Sequence, residues 1–227
     1  MLSKLANLHY KAFALLLNKM KKILLLPSYF YPEVFSSSYL TQNRYQAFAD
    51  HDFYMIAYTP TPTRGVNNEV YCKYKKIKSE ILYDGKLEAI RFSLMREGRN
   101  PVLRALRYFI GCIKQFCFGV FSKKARSCDI MFISSTPPIQ GAMAALVKKI
   151  TKIPMVYNLQ DIFPDSLVGT GMTHKGSLLW KIGRVIENFT YRNADKIIVI
   201  SEDFKQNIMA KGVPESKIEV VYNWVDE

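Results

Sequence analysis

At 227 residues, with 49% hydrophobic and 22% charged side chains, the chain can hold one large α/β core or two small ones and is too apolar for a disordered segment. Its 32 Lys and Arg against 19 Asp and Glu leave a formal charge of +13, and residues 1–22 and 101–126, which contain no acid, supply eleven of those charges. Positive charge gathered in two apolar segments argues against a nucleic-acid groove and for an anionic membrane surface.

The opening segment, MLSKLANLHYKAFALLLNKMKK, puts Lys4, Asn7, Lys11 and Asn18 on one helical face and leucines around the rest. No small-residue cleavage site follows Leu15-Leu16-Leu17, and the apolar run is too short to span a bilayer. Residues 1–19 therefore read either as an interfacial amphipathic extension or as sequence ahead of a native start at Met20.

Short apolar runs then alternate with helical patterns. Strands are predicted at residues 23–26, 53–58, 87–92, 130–134, 155–158, 196–200 and 218–222. Helices are predicted at 39–49, 101–125, 139–150, 178–191 and 203–211, with Asn100-Pro101 opening the second and Gly212 closing the last. Strands alternating with long helices imply right-handed crossovers and a mainly parallel sheet, here a single doubly wound Rossmann-like α/β domain of about seven strands over residues 20–227. The four cysteines, Cys72, Cys112, Cys117 and Cys128, show no metal-binding spacing with each other or with His9, His51 and His174. Three of them sit in or beside apolar runs, as buried thiols do, which fits a reducing cytoplasm.

In an open parallel sheet, ligands bind beyond the carboxyl ends of the strands. Four polar segments fall there: residues 27–38, 134–138, 160–171 and 201–202. In the first, Ser36, Ser37 and Ser38 offer hydroxyls and free amides at a helix start, which suits either a phosphate or simple N-capping. No Gly-rich fingerprint accompanies them, which disfavours a dinucleotide. Ser135 lies in Ser-Ser-Thr-Pro-Pro, a rigid helix entrance with structural duty as its first reading. Gln160-Asp161-Ile-Phe-Pro164-Asp165 follows the apolar strand MVYN. A carboxylate at Asp161 suits accepting or orienting a proton of an acceptor hydroxyl, while Asp165 equally suits capping the next helix and Asp161 pinning the loop.

The strings CDIMFISSTPPIQGAMAALVKKITKIPMVYNLQDIFPDSLVGTGM and ADKIIVISEDFKQNIMAKGVPESKIEVVYNWVDE, with KILLLPSYFYPEVFSSS before them, closely resemble the N-terminal domain of glycosyltransferase family 4, of GT-B fold. The nearest likeness is to bacterial sugar transferases of capsule, O-antigen and colanic acid synthesis. The resemblance implies that Asp161 is the catalytic carboxylate, in a Gln160-Asp161 pair where many members have His-Asp. It places Pro164 and Asp165 in the following cleft loop, Ser201 after the sixth strand, and Asn223 at the start of the Asn-x-Val-Asp hinge. Glu33 belongs to the Pro-Glu loop after the first strand, which the resemblance makes an acceptor- and diphosphate-facing loop, and Ser36–Ser38 in it stand where the family has glycines near the donor diphosphate. A nucleotide sugar is implied as donor substrate, with no further cofactor and no metal. A lipid-linked glycan is implied as acceptor, together with cytoplasmic work at the inner face of the plasma membrane.

In the family a second Rossmann domain grips the nucleotide, and residues 20–227 do not contain it. Charge stabilisation at the leaving group is the largest catalytic term, and one lost donor costs about 2.7–4 kcal/mol, so this stretch alone is expected to turn over very slowly. The stretch is then a truncated gene, a fragment, or one subunit of a split enzyme whose donor domain is a separate chain. The competing expectation is a non-catalytic membrane- or partner-binding Rossmann module. Helix 101–125 carries Arg104, Arg107 and Lys114 on one stripe amid apolar residues, so it either packs deeply or lies in a bilayer interface with these three facing the membrane.

Overall fold

The computed structural model describes residues 22–34, 38–98 and 100–224. The amphipathic extension expected at residues 1–19, Ser36 and Ser37 lie outside the described residues. Eight strands form one sheet: β1 (Lys22–Leu25), β2 (Tyr54–Pro60), β3 (Ser79–Leu82), β4 (Leu87–Phe92), β5 (Ile130–Ser134), β6 (Met155–Leu159), β7 (Lys196–Val199) and β8 (Ile218–Val220). Their order is β3-β4-β2-β1-β5-β6-β7-β8, parallel throughout except for β3 against β4. The helices are α1 (Ser38–Asp50), α2 (Asn68–Lys76), α3 (Pro101–Phe121), α4 (Lys123–Arg126), α5 (Ile139–Thr151), α6 (Asp165–Gly169), α7 (Leu178–Asn193) and α8 (Glu202–Ala210).

The central strands are apolar because both faces are covered. In β1, Ile23 and Leu25 join Tyr45 and Phe48 of α1 in one core, whereas Leu24 joins Cys112 of α3, Met143 of α5 and Tyr191 of α7 in the other. Burying a side chain of this size contributes about 1.5–3 kcal/mol. The α3, α5 and α7 helices lie side by side on the second face. At Gly141 in α5, a Cβ would lie 2.5 Å from Thr190 Cγ2 and 2.7 Å from a Tyr157 ring carbon, so only glycine admits this approach of α5 to α7 and β6.

The structure departs from expectation at the β3 edge. This strand is partly exposed and pairs antiparallel with β4 across a turn in which Tyr83, Asp84 and Gly85 all have positive φ. Helix α2, capped by Asn67 accepting from Val70 N at 2.8 Å, buries only Tyr74 among its residues and carries no apolar stripe to announce it. The helix expected at 101–125 breaks at Ser122, whose extended backbone separates α3 from α4. Cys112 and Cys128 are buried as expected, and burial pushes both thiols up to about 12, whereas Cys117 sits on the exposed side of α3.

Candidate functional site

From β1 the chain runs outward to β2, and after β4 it crosses back to β5 and continues to β6 in the other direction, so the connections leaving β1 and β5 diverge. Parallel sheets open a crevice at such a point. Here it is a cleft of about 420 Å³, lined by residues 26–29 after β1, by Leu40, Thr41, Arg44 and Tyr45 of α1, and by Arg64. Ser134 and Thr136 after β5, Gln140 of α5, Asn158 and Gln160 at the end of β6, and Asn223 complete it.

A buried amide network holds the cleft floor. Gln115 of α3 donates through Nε2 to Pro27 O at 2.8 Å and to Tyr58 O at 3.0 Å. Gln140 Nε2 donates to Leu26 O and to Gln115 Oε1, and its Oε1 accepts from Ser28 Oγ at 2.9 Å. The loop after β1 lacks ladder partners for its carbonyls, and these two glutamines supply them. On the β6 side, Ser135 Oγ accepts from Gln160 N at 2.9 Å, Gln160 Nε2 donates to Asn158 Oδ1 at 3.0 Å, and Asn223 Nδ2 donates to Gln160 Oε1 at 3.0 Å. Ser135, Gln160 and Asn223 are thus brought together as one cleft wall, with Ser135 buried behind it.

The remaining predicted residues do not converge on this cleft. Glu33 is buried, and its carboxylate accepts from Phe30 N at 3.0 Å, Thr63 N at 2.7 Å and Arg64 N at 2.9 Å. It faces inward and fastens the loop after β1 to the loop after β2, which corrects its expected place beside a diphosphate. Ser38 opens α1 and borders a separate small crevice with Phe30 and Thr41. Asp161 is exposed one residue beyond Gln160, accepts from Ser166 Oγ at 3.1 Å, and lines a neighbouring crevice with Tyr157 and Glu187. Pro164 packs where a Cβ on Gly183 of α7 would come within 2.7 Å of it. Ser201 caps α8, accepting from Phe204 N at 3.2 Å.

Asp165 pairs with Lys211 Nζ at 2.7 Å. Burial alone would raise its carboxyl, but the Lys211 ammonium outweighs it and the shift is downward. A depressed carboxyl stabilises the fold above the ordinary carboxylate range and loses that contribution as pH falls through its folded pKa. Asp165→Asn is therefore expected to lower the denaturation midpoint at pH 7 and to lower it less as the pH is brought down through 3, read by urea unfolding across that range.

Two cleft residues escaped the sequence reading, and each carried a signal. Arg44 sits four residues after Leu40 and four before Phe48, on the inward stripe of α1, where a charge is out of place. Asn158 is the polar residue in a strand otherwise buried and apolar.

The membrane-facing stripe needs correction at Arg107. Arg107 is 1% exposed, donating to Met95 O and Thr63 Oγ1 at 3.0 Å each and lying 3.8 Å from Glu97. Arg104 lies 3.7 Å from the same carboxylate, and Lys114 Nζ donates to Ser93 O at 2.8 Å. Glu97, just outside the acid-free stretch, folds back onto its basic residues. Alongside the exposed Arg104, α3 shows apolar side chains to solvent: Val102, Leu103, Leu106, Phe109 and Ile113 are all exposed. Among the described residues no helix is long and apolar enough to cross a membrane, and no cluster of three metal-binding side chains occurs.

The sequence pattern of Glycosyltransferase Family 4 matches residues 43–227. The probable glycosyltransferase WbjE of Pseudomonas aeruginosa is 25% identical over 137 residues, which is 60% of this chain and 34% of that protein. The fold is similar to that of Anabaena Alr3699/HepE, solved in complex with UDP and glucose, at a TM-score of 0.51 and 17% identity over 91% of this chain and 45% of that one. It is also similar to sucrose-phosphate synthase (tll1590) from Thermosynechococcus elongatus, at a TM-score of 0.59 and 11% identity over 91% of this chain and 49% of that one. The chain spans less than half the length of each of these proteins. With the family pattern running through most of its length and a GT-B-like parallel sheet opening at the β1–β5 divergence, this chain belongs to glycosyltransferase family 4.

Proposed function

We propose that this chain forms the acceptor-side wall of a retaining sugar transferase, which moves a sugar from a nucleotide-sugar donor to a lipid-linked glycan in surface polysaccharide synthesis. The observation that carries the reading is the open cleft at the β1–β5 divergence, lined by hydroxyls and amides suited to a sugar. In this reaction an acceptor hydroxyl forms a bond to the anomeric carbon as the nucleoside diphosphate leaves, and its proton must be received. Asp161, exposed in the crevice next to the cleft and one residue beyond Gln160, is the carboxylate assigned to orient that hydroxyl, and a second Rossmann domain, in a longer or a partner chain, holds the leaving diphosphate.

The reading is checked by titrating the chain with a soluble short-prenyl diphosphate saccharide and following backbone amide resonances. Signals of Ser28, Gln160 and Asn223 are expected to move together. An absence of any cleft shift at millimolar concentration overturns the reading.

The apolar face of α3 supports a second part of the proposal, that the chain works as a peripheral protein at the inner surface of the plasma membrane. Because Glu97 neutralises part of the basic stripe, apolar insertion rather than charge dominates the attraction. Pelleting with anionic vesicles should therefore survive moderate salt and be lost in Phe109→Glu. A chain that stays in the supernatant at every salt concentration removes the membrane claim. Vesicle binding without any cleft response would favour the alternative, a non-catalytic membrane- or partner-binding module.

A further inference from the structure

The cleft carries an unusual charge. Two arginines line it and no carboxylate does. Arg64 is exposed, with its guanidinium 5.0 Å from the Tyr29 ring centroid. Arg44 is different: it is 3% exposed, and its guanidinium carbon lies 5.3 Å from the Phe132 ring centroid. Among the described residues no carboxylate pairs with it, and its Nε is buried without a hydrogen-bond partner. Asn158, fully buried on the same cleft, spends its Oδ1 on Gln160 and leaves Nδ2 without a partner.

Burying a guanidinium without a counter-charge is costly, and so is stranding an amide N–H; folds keep such groups where a ligand completes them. Both groups only donate at the free positions, because a guanidinium has no acceptor and the acceptor of Asn158 is already occupied. A neutral hydroxyl would satisfy an N–H but not the charge. An oxygen that accepts two or more hydrogen bonds and bears negative charge satisfies both. Burial also drags Arg44 down to about 10, the direction expected of a cation waiting for its partner.

Resting on the reading of this cleft as the substrate site, we infer that Arg44 and Asn158 form a buried oxyanion seat that receives a phosphoryl or carboxylate oxygen of the bound substrate. The seat is a binding and positioning device, holding the charged part of the substrate at the cleft floor while the sugar hydroxyls meet Ser28, Gln160 and Asn223 nearer the mouth.

The test is calorimetric titration of the wild-type chain and of Arg44→Met, a change that keeps the stem and removes the charge. The probes are UDP, a short prenyl diphosphate, glucuronate and neutral glucose. The expected result is a loss of about tenfold or more in affinity for at least one anionic probe, with glucose unaffected. Loss confined to UDP assigns the seat to the donor, loss confined to the prenyl diphosphate to a lipid-linked acceptor, and loss confined to glucuronate to an acidic sugar. Equal affinities in the two proteins for every anion, or no anion binding to the wild type, overturn the inference. If glucose still shifts the cleft amides in that case, the cleft survives as a sugar site and only the seat is removed. Should Arg44→Met fail to fold, the Nε resonance of Arg44 in the wild type decides: it moves on addition of pyrophosphate, or the inference is wrong.

Discussion

Glu33→Ala is expected to lower the stability of the chain by about 3–5 kcal/mol, the range for stripping a partner from a buried charged hydrogen-bond set. The carboxylate is 2% exposed and receives three backbone N–H groups, two of them from residues thirty positions further along the chain. Its removal strands all three amides and unfastens the loop after β1, which carries Ser28 and Tyr29 into the cleft. For a chain of this size the loss corresponds to a fall of roughly 6–20 °C in the thermal midpoint. Glu33→Gln separates charge from shape. Its carbonyl oxygen keeps the bonds from Thr63 and Arg64, but its NH2 confronts the Phe30 N–H, so the cost should be about 1–3 kcal/mol. Calorimetric scans of the two variants beside the wild type check both values; a Glu33→Ala midpoint within a degree of the wild type would show that the carboxylate does not hold the loop.

Glu187→Ala is expected to cost about 2–4 kcal/mol. Glu187 accepts from Tyr191 Oη and from Lys211 Nζ at 2.8 Å each and pairs with Arg184 three residues before it. Lys211 keeps its second partner, Asp165, which is why the cost falls below that of a wholly orphaned charge. This network joins α7 and α8 to the loop that carries Asp161. Hydrogen exchange in residues 162–171 should therefore quicken in the variant, while amides of β5 and β6 keep their protection. A double-mutant cycle with Lys211→Met should give a coupling of about 0.5–3 kcal/mol, and additivity would mean that the two side chains do not communicate.

Much of the fold was legible because burial on both faces leaves little freedom in composition. The apolar runs marking β1, β5, β6 and β7 could be read within a residue or two, since burial on both faces fills most of their positions with Leu, Ile, Val, Met and aromatic side chains. β3 and α2 were invisible for the opposite reason. Ile81 points to solvent, α2 is rich in lysine, and the turn before β4 uses positive φ at Tyr83 and Asp84, residues that do not advertise it. At the site, Gln160 and Ser135 followed from their positions after strands, and Asn223 from the family resemblance. Glu33 and Arg107 were misjudged because their partners lie beyond any local window: Thr63 and Arg64 for the first, and Thr63 with Met95 and Glu97 for the second. Arg44 resembled one more cation on a surface helix; its spacing from Leu40 and Phe48 hinted at the inward stripe, and the sheet behind it shows that the side chain turns inward.

The contact at Gly141 has a consequence for recognition. Its neighbour Gln140 reaches Leu26 and Gln115 from the side of α5 turned toward the cleft, while Gly141 meets Thr190 and Tyr157. A methyl group added at Gly141 would wedge the helix outward and carry the Gln140 amide with it. The place of the Gln140 amide on the cleft floor is thus set by a clearance on another side of the helix, against α7 and β6.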